Sequence, residues 1–257
     1  MKYIIYEVQN RIGYITLNRP DKRNALSHDM VTELKEVFTI AERDESAKVI
    51  VLKANGEAFC AGADLEYLKL LEGFSYEQNF ADSTHLKELF LQIYTLKKVV
   101  IAQIQGHALA GGCGLATVCD FSFAVPEANF GYTEVRIGFI PAIVMVFLIR
   151  KIGEAHARAL LLSGSLCTAH EAQQMGLISE VMAEEDLALE VADFATQIVE
   201  SNSAYSMSVT KQMIAKVQSL PLEEALDFAA EMNAKARSSE DCKRGISAFL
   251  NKEKVTW

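Results

Sequence analysis

Two runs of small residues and one glutamate hold the chemistry available to this chain. Residues 99–114, VVIAQIQGHALAGGCG, lead a β-rich apolar run (Val99, Val100, Ile101, Ile104) into a loop with Gly106, Gly111, Gly112 and Gly114. An apolar, helix-like stretch from Leu115 to Val118 follows. Glycines weaken a chain unless its backbone must turn sharply or approach something closely. Where a strand hands over to a helix they leave free N–H groups aimed at whatever sits there. Such a turn binds a phosphate, holds the oxyanion of a reacting acyl group, or is simply tight. Residues 59–65, FCAGADL, form a second small-residue turn after the strand-like run Val49 to Ala54. Two turns of this kind can aim two backbone N–H groups at one carbonyl oxygen.

The glutamate is Glu134, with Phe130, Val135, Ile137, Phe139 and Ile140 around it in sequence. An apolar pocket raises a carboxyl pKa toward working pH, where the group can both give and take a proton. Composition alone reads a glutamate there as a helix-cap or surface group. Arg19, Lys22 and Arg23 form a local cationic cluster that can meet an anion, or simply a charged surface turn. Cys60 and Cys113 lie in the two small-residue turns, but no base is spaced beside either, so small size explains them better than nucleophilic chemistry.

The elements that must position these groups are legible from patterning. Residues 3–17 alternate as a β-hairpin with its turn near Asn10 to Gly13. Ser27 caps a helix carrying Met30, Leu34, Val37 and Ala41 on one face. A strand at 49–54, a long helix around 76–97, a strand at 99–105 and another around 121–125 follow. Thr168 and Glu171 make a capping box for a helix that stops near Gly176. From about 184 the pattern is helical to the end, broken at Pro221, with 238–241 capping the last helix. Gly112-Cys-Gly114 lacks the third glycine of a dinucleotide fingerprint, which weakens a Rossmann reading.

Length and composition set the bounds. The 257 residues suit one large domain, or one domain with a helical appendage. Half the residues are hydrophobic, enough for a sizeable core. The net charge of −9 disfavours nucleic acid as a partner, since phosphate binding wants a basic footprint. Five dispersed cysteines without a C-x-x-C pair read as reduced thiols in a cytoplasmic protein. The N-terminus has neither a signal-peptide core nor a transit pattern. The apolar run at 139–149 is too short for a bilayer and is expected to be buried. The histidines show no metal-ligand spacing, and no metal is expected.

Five segments in order, LNRPDKRNALS (17–27), FCAGADL (59–65), GHALAGGCGLATVCD (106–120), FGYTEVRIGFIPA (130–142) and AFLNKEKVTW (248–257), resemble the crotonase superfamily of enoyl-CoA hydratases and isomerases. The resemblance covers nearly the whole chain. It implies an α/β fold, a spiral of ββα turns over residues 1–190, followed by a helical region at 191–257 that assembles trimers, usually paired into hexamers. It implies a coenzyme A thioester as substrate and partner, with no separate cofactor. In that reading the N–H groups of Ala63 and Gly111 hold the thioester oxygen and Glu134 is the acid/base residue. Ala25, Ala61, Asp64 and Leu65 match positions along the CoA adenine and pantetheine path, with Lys22 and Arg23 beside them.

One departure matters. Two-glutamate hydratases carry a second carboxylate where this chain has Gly114. The vacated space is expected to hold substrate or ordered water and to spare an acidic acyl group from like-charge repulsion. The segment TEVRIGFIPAIVMVFLIRKIGE (133–154) resembles bacterial methylglutaconyl-CoA hydratases of leucine breakdown. It is also similar to dehydratases acting on hydroxymethylglutaryl groups in polyketide β-branching. Arg136 either meets an acidic acyl end or faces solvent, and His107 is either an auxiliary proton carrier or a hydrogen-bonded structural group. The implied activity is reversible hydration of a branched 2-enoyl-CoA. The alternatives are an isomerase or decarboxylase using one carboxylate, and a non-catalytic acyl-CoA- or RNA-binding member.

Overall fold

Asn10 and Arg11 both take positive φ, 51° and 64°, and close strands β1 (Ile4–Gln9) and β2 (Ile12–Leu17) into an antiparallel hairpin. Such a two-residue turn matches the right-handed twist of the strands it joins. This computed structural model describes residues 1–257. Helix α1 (His28–Arg43) follows, its first turn capped by the Ser27 side chain accepting from the Met30 N–H. Met30, Leu34, Val37 and Ala41 are buried, as their spacing predicts.

The chain then repeats one unit. Strand β3 (Val49–Ala54) leads to a bridge at Cys60, then to helices α2 (Leu65–Leu71) and α3 (Tyr76–Thr95). Strand β4 (Val99–Ile104) leads to β5 (Ala108–Leu109) and helix α4 (Gly111–Val118). Strand β6 (Phe121–Ala124) leads to β7 (Asn129–Gly131) and helix α5 (Ala142–Ser163). With β8 (Leu166–Thr168), α6 (Ala169–Gln174) and β9 (Glu180–Val181), the strands form two sheets. One has the order β1-β2-β3-β4-β6-β9, parallel after the hairpin, and the other the order β5-β7-β8. This is the expected spiral of ββα turns. The first four residues of β3 and all but Gln103 of β4 are buried, which explains why both read as apolar runs rather than alternating strands. The capping box at Thr168 and Glu171 forms in both directions.

Helix α7 (Glu184–Ser201) packs into the core through Leu187, Val191, Ala195, Ile198 and Val199. Residue 190 therefore lies inside a core helix, and the following helix α8 (Ala204–Val217) also packs on the core, with Lys211 buried and paired with Asp120 at 2.6 Å. Helix α9 (Leu222–Arg237) buries none of its residues, and α10 (Glu240–Asn251) buries only Ala248. Leu222, Leu226, Phe249 and Leu250 are left more than half exposed. The run at 139–149 departs from its expected burial. Val144, Phe147 and Leu148 face the core, whereas Phe139, Ile140, Met145, Val146 and Ile149 are exposed. One stripe of α5 packs inward while its other face is also apolar, a two-sided pattern that hydrophobicity alone cannot resolve. No helix is long and apolar enough to cross a membrane.

Candidate active site

The two small-residue turns lie backbone against backbone. Cys60 N–H donates to the His107 carbonyl (3.2 Å), and Leu109 N–H donates to the Cys60 carbonyl (3.0 Å). A Cβ at Gly112 would fall 2.1 Å from the Cys60 oxygen, and one at Gly106 would fall 1.9 Å from the Glu57 oxygen. Only glycine permits so close an approach.

A third segment, residues 19–26, closes on the first turn. Ala61 N–H donates to Arg23 O (3.0 Å), Leu26 N–H to Gly62 O (2.7 Å), and Asp64 N–H to Leu26 O (2.9 Å). Because Leu26 pairs with the residues on either side of Ala63, the Ala63 N–H points away from that ladder and donates to no protein acceptor. Gly111 opens α4, and its N–H is likewise without an acceptor, the Gly114 N–H donating to Ala110 O (3.0 Å). A Cβ at Gly62 would lie 2.9 Å from the Ala110 Cβ, and one at Gly111 would lie 3.0 Å from Leu26 Cδ1, which makes the two turns neighbours. Two free amides, one of them at a helix N-terminus with its partial positive charge, can hold a developing oxyanion.

Ala110 sets the direction of the Gly111 amide. Its φ of 48° and ψ of −120° are costly for a residue with a Cβ, on the order of 1–3 kcal/mol. Its N–H donates to Gly131 O (2.8 Å), the end of β7, which holds the conformation.

Three residues beyond Gly131, Glu134 begins a 3₁₀ turn that runs to Ile137. Its Oε2 is buried and has no hydrogen-bond partner. Burial pushes its carboxyl above the ordinary range, with its own N–H acting in the opposite direction. The Glu134 charge in turn contributes to raising the Cys113 thiol and the Tyr132 phenol, so these groups are its neighbours. The apolar enclosure differs from the one expected. Phe130 is buried, but Ile137, Phe139 and Ile140 turn outward.

The remaining candidates fall around the first turn. Ala25 is buried, Ala61 is half-buried, and Leu65 is exposed at the start of α2. The Asp64 carboxylate is engaged. Its Oδ1 accepts from the Glu66 and Tyr67 N–H groups, capping α2, and its Oδ2 pairs with Arg19 at 2.7 Å. Burial opposes ionisation of Asp64, but these donors outweigh it and hold its pKa below the ordinary range. Lys22 and Glu66 form an exposed ion pair at 2.7 Å, and Arg23 is exposed beside it. The two turn cysteines are inert, since burial pushes both thiols up to about 12.

Two open alternatives are resolved by geometry. His107 Nδ1 accepts from the Asn129 N–H (3.1 Å), a structural bond that joins the ends of β5 and β7. The Arg136 stem and Nε sit against Gly164, at the C-terminal end of α5, and face outward. Gly114 brings a correction. Its vacated space holds protein rather than room for substrate or water. A Cβ there would lie 2.5 Å from Val144 Cγ1 and 3.0 Å from Phe90 Cζ, both buried. Arg19, read from sequence as part of a cationic cluster, is instead taken up by Asp64, and the Tyr132 side chain was not singled out from sequence. Tyr132, two residues before Glu134, was visible as the one polar aromatic in FGYTE. A cleft of about 1060 Å³ lies elsewhere, between the core and helices α8 and α10, and none of Ala63, Gly111 or Glu134 lines it.

A family profile described as enoyl-CoA hydratase/isomerase matches residues 7–257. The chain is 34% identical over 255 residues to the 2,3-dehydroadipyl-CoA hydratase of Escherichia coli K12, covering 98% of this chain and 97% of that one. It is 33% identical over 260 residues to a mitochondrial enoyl-CoA hydratase of Pongo abelii, covering 100% and 88% of the two chains. The solved structure of an enoyl-CoA hydratase/isomerase from Marinobacter aquaeolei superposes with a TM-score of 0.92 at 33% identity, covering 100% of this chain and 99% of that one.

Proposed function

The chain belongs to the enoyl-CoA hydratase/isomerase family, and from that premise we propose that it reversibly hydrates a 2-enoyl-CoA thioester with Glu134 as acid and base. The observation that carries this reading is the combination of two unengaged amides, on Ala63 and Gly111, with a buried carboxylate oxygen that no protein group satisfies. Hydration joins the oxygen of water to C3 and builds enolate charge on the thioester oxygen before C2 is protonated. Ala63 and Gly111 hold that oxygen, and losing one such donor typically costs about a hundredfold or more in rate. Neither role needs a side chain, in keeping with the small residues at both positions.

Gly114 supplies no second carboxylate, and Val144 and Phe90 leave no room for one. Glu134 therefore does both proton transfers. Its carboxylate takes a proton from the attacking water as the C3–O bond forms, and then gives that proton to C2 of the enolate. Water adds across one face of the double bond and the carboxylate is restored. A carboxyl raised by burial suits this role, since it holds its proton nearer to neutral pH than a solvated one.

Along the CoA path, Ala25, Ala61 and Leu65 line the thioester arm and Lys22 and Arg23 meet its phosphates. Asp64 fixes the start of α2 rather than meeting CoA through its carboxylate. The acyl group is branched or acidic, such as 3-methylglutaconyl-CoA. The 133–154 segment supports this, as does a relative whose named substrate is a dicarboxylic acyl thioester. Exposed apolar residues on α9 and α10 support assembly into trimers or hexamers. The single carboxylate also favours a second reading, isomerisation or decarboxylation.

The test is product analysis across a panel of enoyl-CoAs that includes crotonyl-CoA and 3-methylglutaconyl-CoA. Hydration consumes the conjugated double bond and adds the mass of one water. A product of unchanged mass with a shifted double bond, or one that has lost carbon dioxide, establishes the second reading. No turnover of any member overturns both.

A further inference from the structure

Glu134 and the Gly111 amide must keep their relative positions through the reaction, yet they lie on different elements, the 3₁₀ turn after β7 and the first turn of α4. Backbone pairing joins these elements only at one end, through β5 with β7 and the Ala110 N–H with Gly131. The Tyr132 side chain provides a second tie. It is fully buried and its phenol oxygen lies 2.8 Å from Thr117 Oγ1 on α4. Thr117 Oγ1 in turn lies 2.8 Å from the Cys113 carbonyl, one turn earlier in the same helix.

Thr117 Oγ1 donates to the Cys113 carbonyl, which leaves its oxygen as an acceptor for the phenol. A threonine hydroxyl has one proton, and a fully buried phenol O–H needs an acceptor. If Thr117 donated to Tyr132, the phenol proton would lose this acceptor. The arrangement that satisfies both has Tyr132 O–H donating to Thr117 and Thr117 O–H donating to the Cys113 carbonyl. The tie thus ends on the backbone of the helix whose N-terminus carries Gly111, and begins two residues before Glu134. The Cys113 thiol packs against the same phenol.

We propose that Tyr132 is a positioning residue that, through Thr117, locks the oxyanion helix to the Glu134 turn. It touches neither substrate nor the reacting atoms. The kinetic part of the claim rests on the hydration reading above, while the locking itself is a property of the protein alone.

The experiment uses Tyr132→Phe, Thr117→Val, their double variant and Thr117→Ser, each verified as folded by circular dichroism, with two readouts. Hydrogen exchange of the ligand-free protein is expected to quicken in Tyr132→Phe by about tenfold over residues 108–118 and 131–137, with the rest of the molecule unchanged. Steady-state kinetics are expected to show kcat lowered about tenfold in either single variant with KM within about twofold. The double variant is expected to be no worse than either single, because both remove the same bond. Thr117→Ser, which keeps the hydroxyl, is expected to retain wild-type behaviour in both readouts. Unchanged local exchange in folded Tyr132→Phe overturns the lock whatever the activity. Faster exchange with unchanged kcat, or fully additive losses, overturns the positioning role. A wild-type protein that turns over no enoyl-CoA contradicts the hydration reading instead, and the exchange experiment still decides the lock.

Discussion

Replacing Gly114 by alanine places one methyl group in the interior of α4, where two effects oppose each other. Alanine in a helix interior is favoured over glycine by about 1 kcal/mol. The new Cβ, however, would lie 2.5 Å from Val144 Cγ1 and 3.0 Å from Phe90 Cζ. Phe90 on α3 is fully buried and Val144 on α5 is 4% exposed, so neither can swing into solvent. Overpacking of that kind costs about 1–3 kcal/mol. The net expectation is a loss of up to about 2 kcal/mol, equivalent to several degrees of Tm at about 2–4 °C per kcal/mol. Gly114→Glu adds burial of a carboxyl without a partner, on the order of another 1–3 kcal/mol. Thermal and urea unfolding of wild type, Gly114→Ala, Val144→Ala and the double variant would measure this. The double variant should be more stable than the sum of the singles predicts, because Val144→Ala removes the clashing methyl. The same packing predicts that Gly114→Glu loses crotonyl-CoA and acidic enoyl-CoA activity alike, through displaced α4 rather than charge repulsion. A Gly114→Ala protein more stable than wild type would refute the packing argument, and selective loss of acidic substrates would restore the electrostatic one.

Three further outcomes are expected. Asp64→Ala should lose about 1–2 kcal/mol by removing the α2 cap, while Asp64→Asn keeps the cap and loses the Arg19 pair; because the Asp64 pKa is depressed, wild type's advantage over Asp64→Asn in urea should be present at neutral pH and fade as pH falls below 3.8. The Glu134 pKa is raised, so the folded protein holds that proton more tightly than the unfolded chain and stability falls as pH rises above 4.5; Glu134→Gln should be the more stable protein at neutral pH, and the difference should shrink toward pH 4.5. Light scattering should report a trimer or hexamer at micromolar concentration, given the exposed Leu222, Leu226, Phe249 and Leu250, and a monomer would contradict that assembly.

What the sequence made legible was local. The hairpin turn, the Ser27 and Thr168 caps and the small-residue turns each depend on a few adjacent residues whose backbone preferences point one way. The glycines at 106 and 112 were readable as close-approach positions, although the carbonyls they admit, from Glu57 and Cys60, come from a distant turn. The content of the Gly114 space was not legible, because it is decided by Phe90 and Val144 on two other helices. The outward faces of Ile137, Phe139 and Ile140 were hidden for a related reason. An apolar residue beside a glutamate in sequence need not be beside it in space, and a 3₁₀ turn followed by a helix splays such neighbours apart. The boundary at residue 190 fell inside α7 because a helical pattern shows where helices begin, not which of them belong to the core.

The most direct test of the central claim is turnover of a 2-enoyl-CoA by Glu134→Gln, compared with its binding of the same thioester. Glutamine keeps the size of the side chain but cannot exchange a proton with water or C2. Circular dichroism should match wild type, calorimetric affinity for acyl-CoA should stay within a few-fold, and kcat should fall by orders of magnitude. Substantial residual hydration by a folded, binding-competent Glu134→Gln would contradict Glu134 as the acid and base.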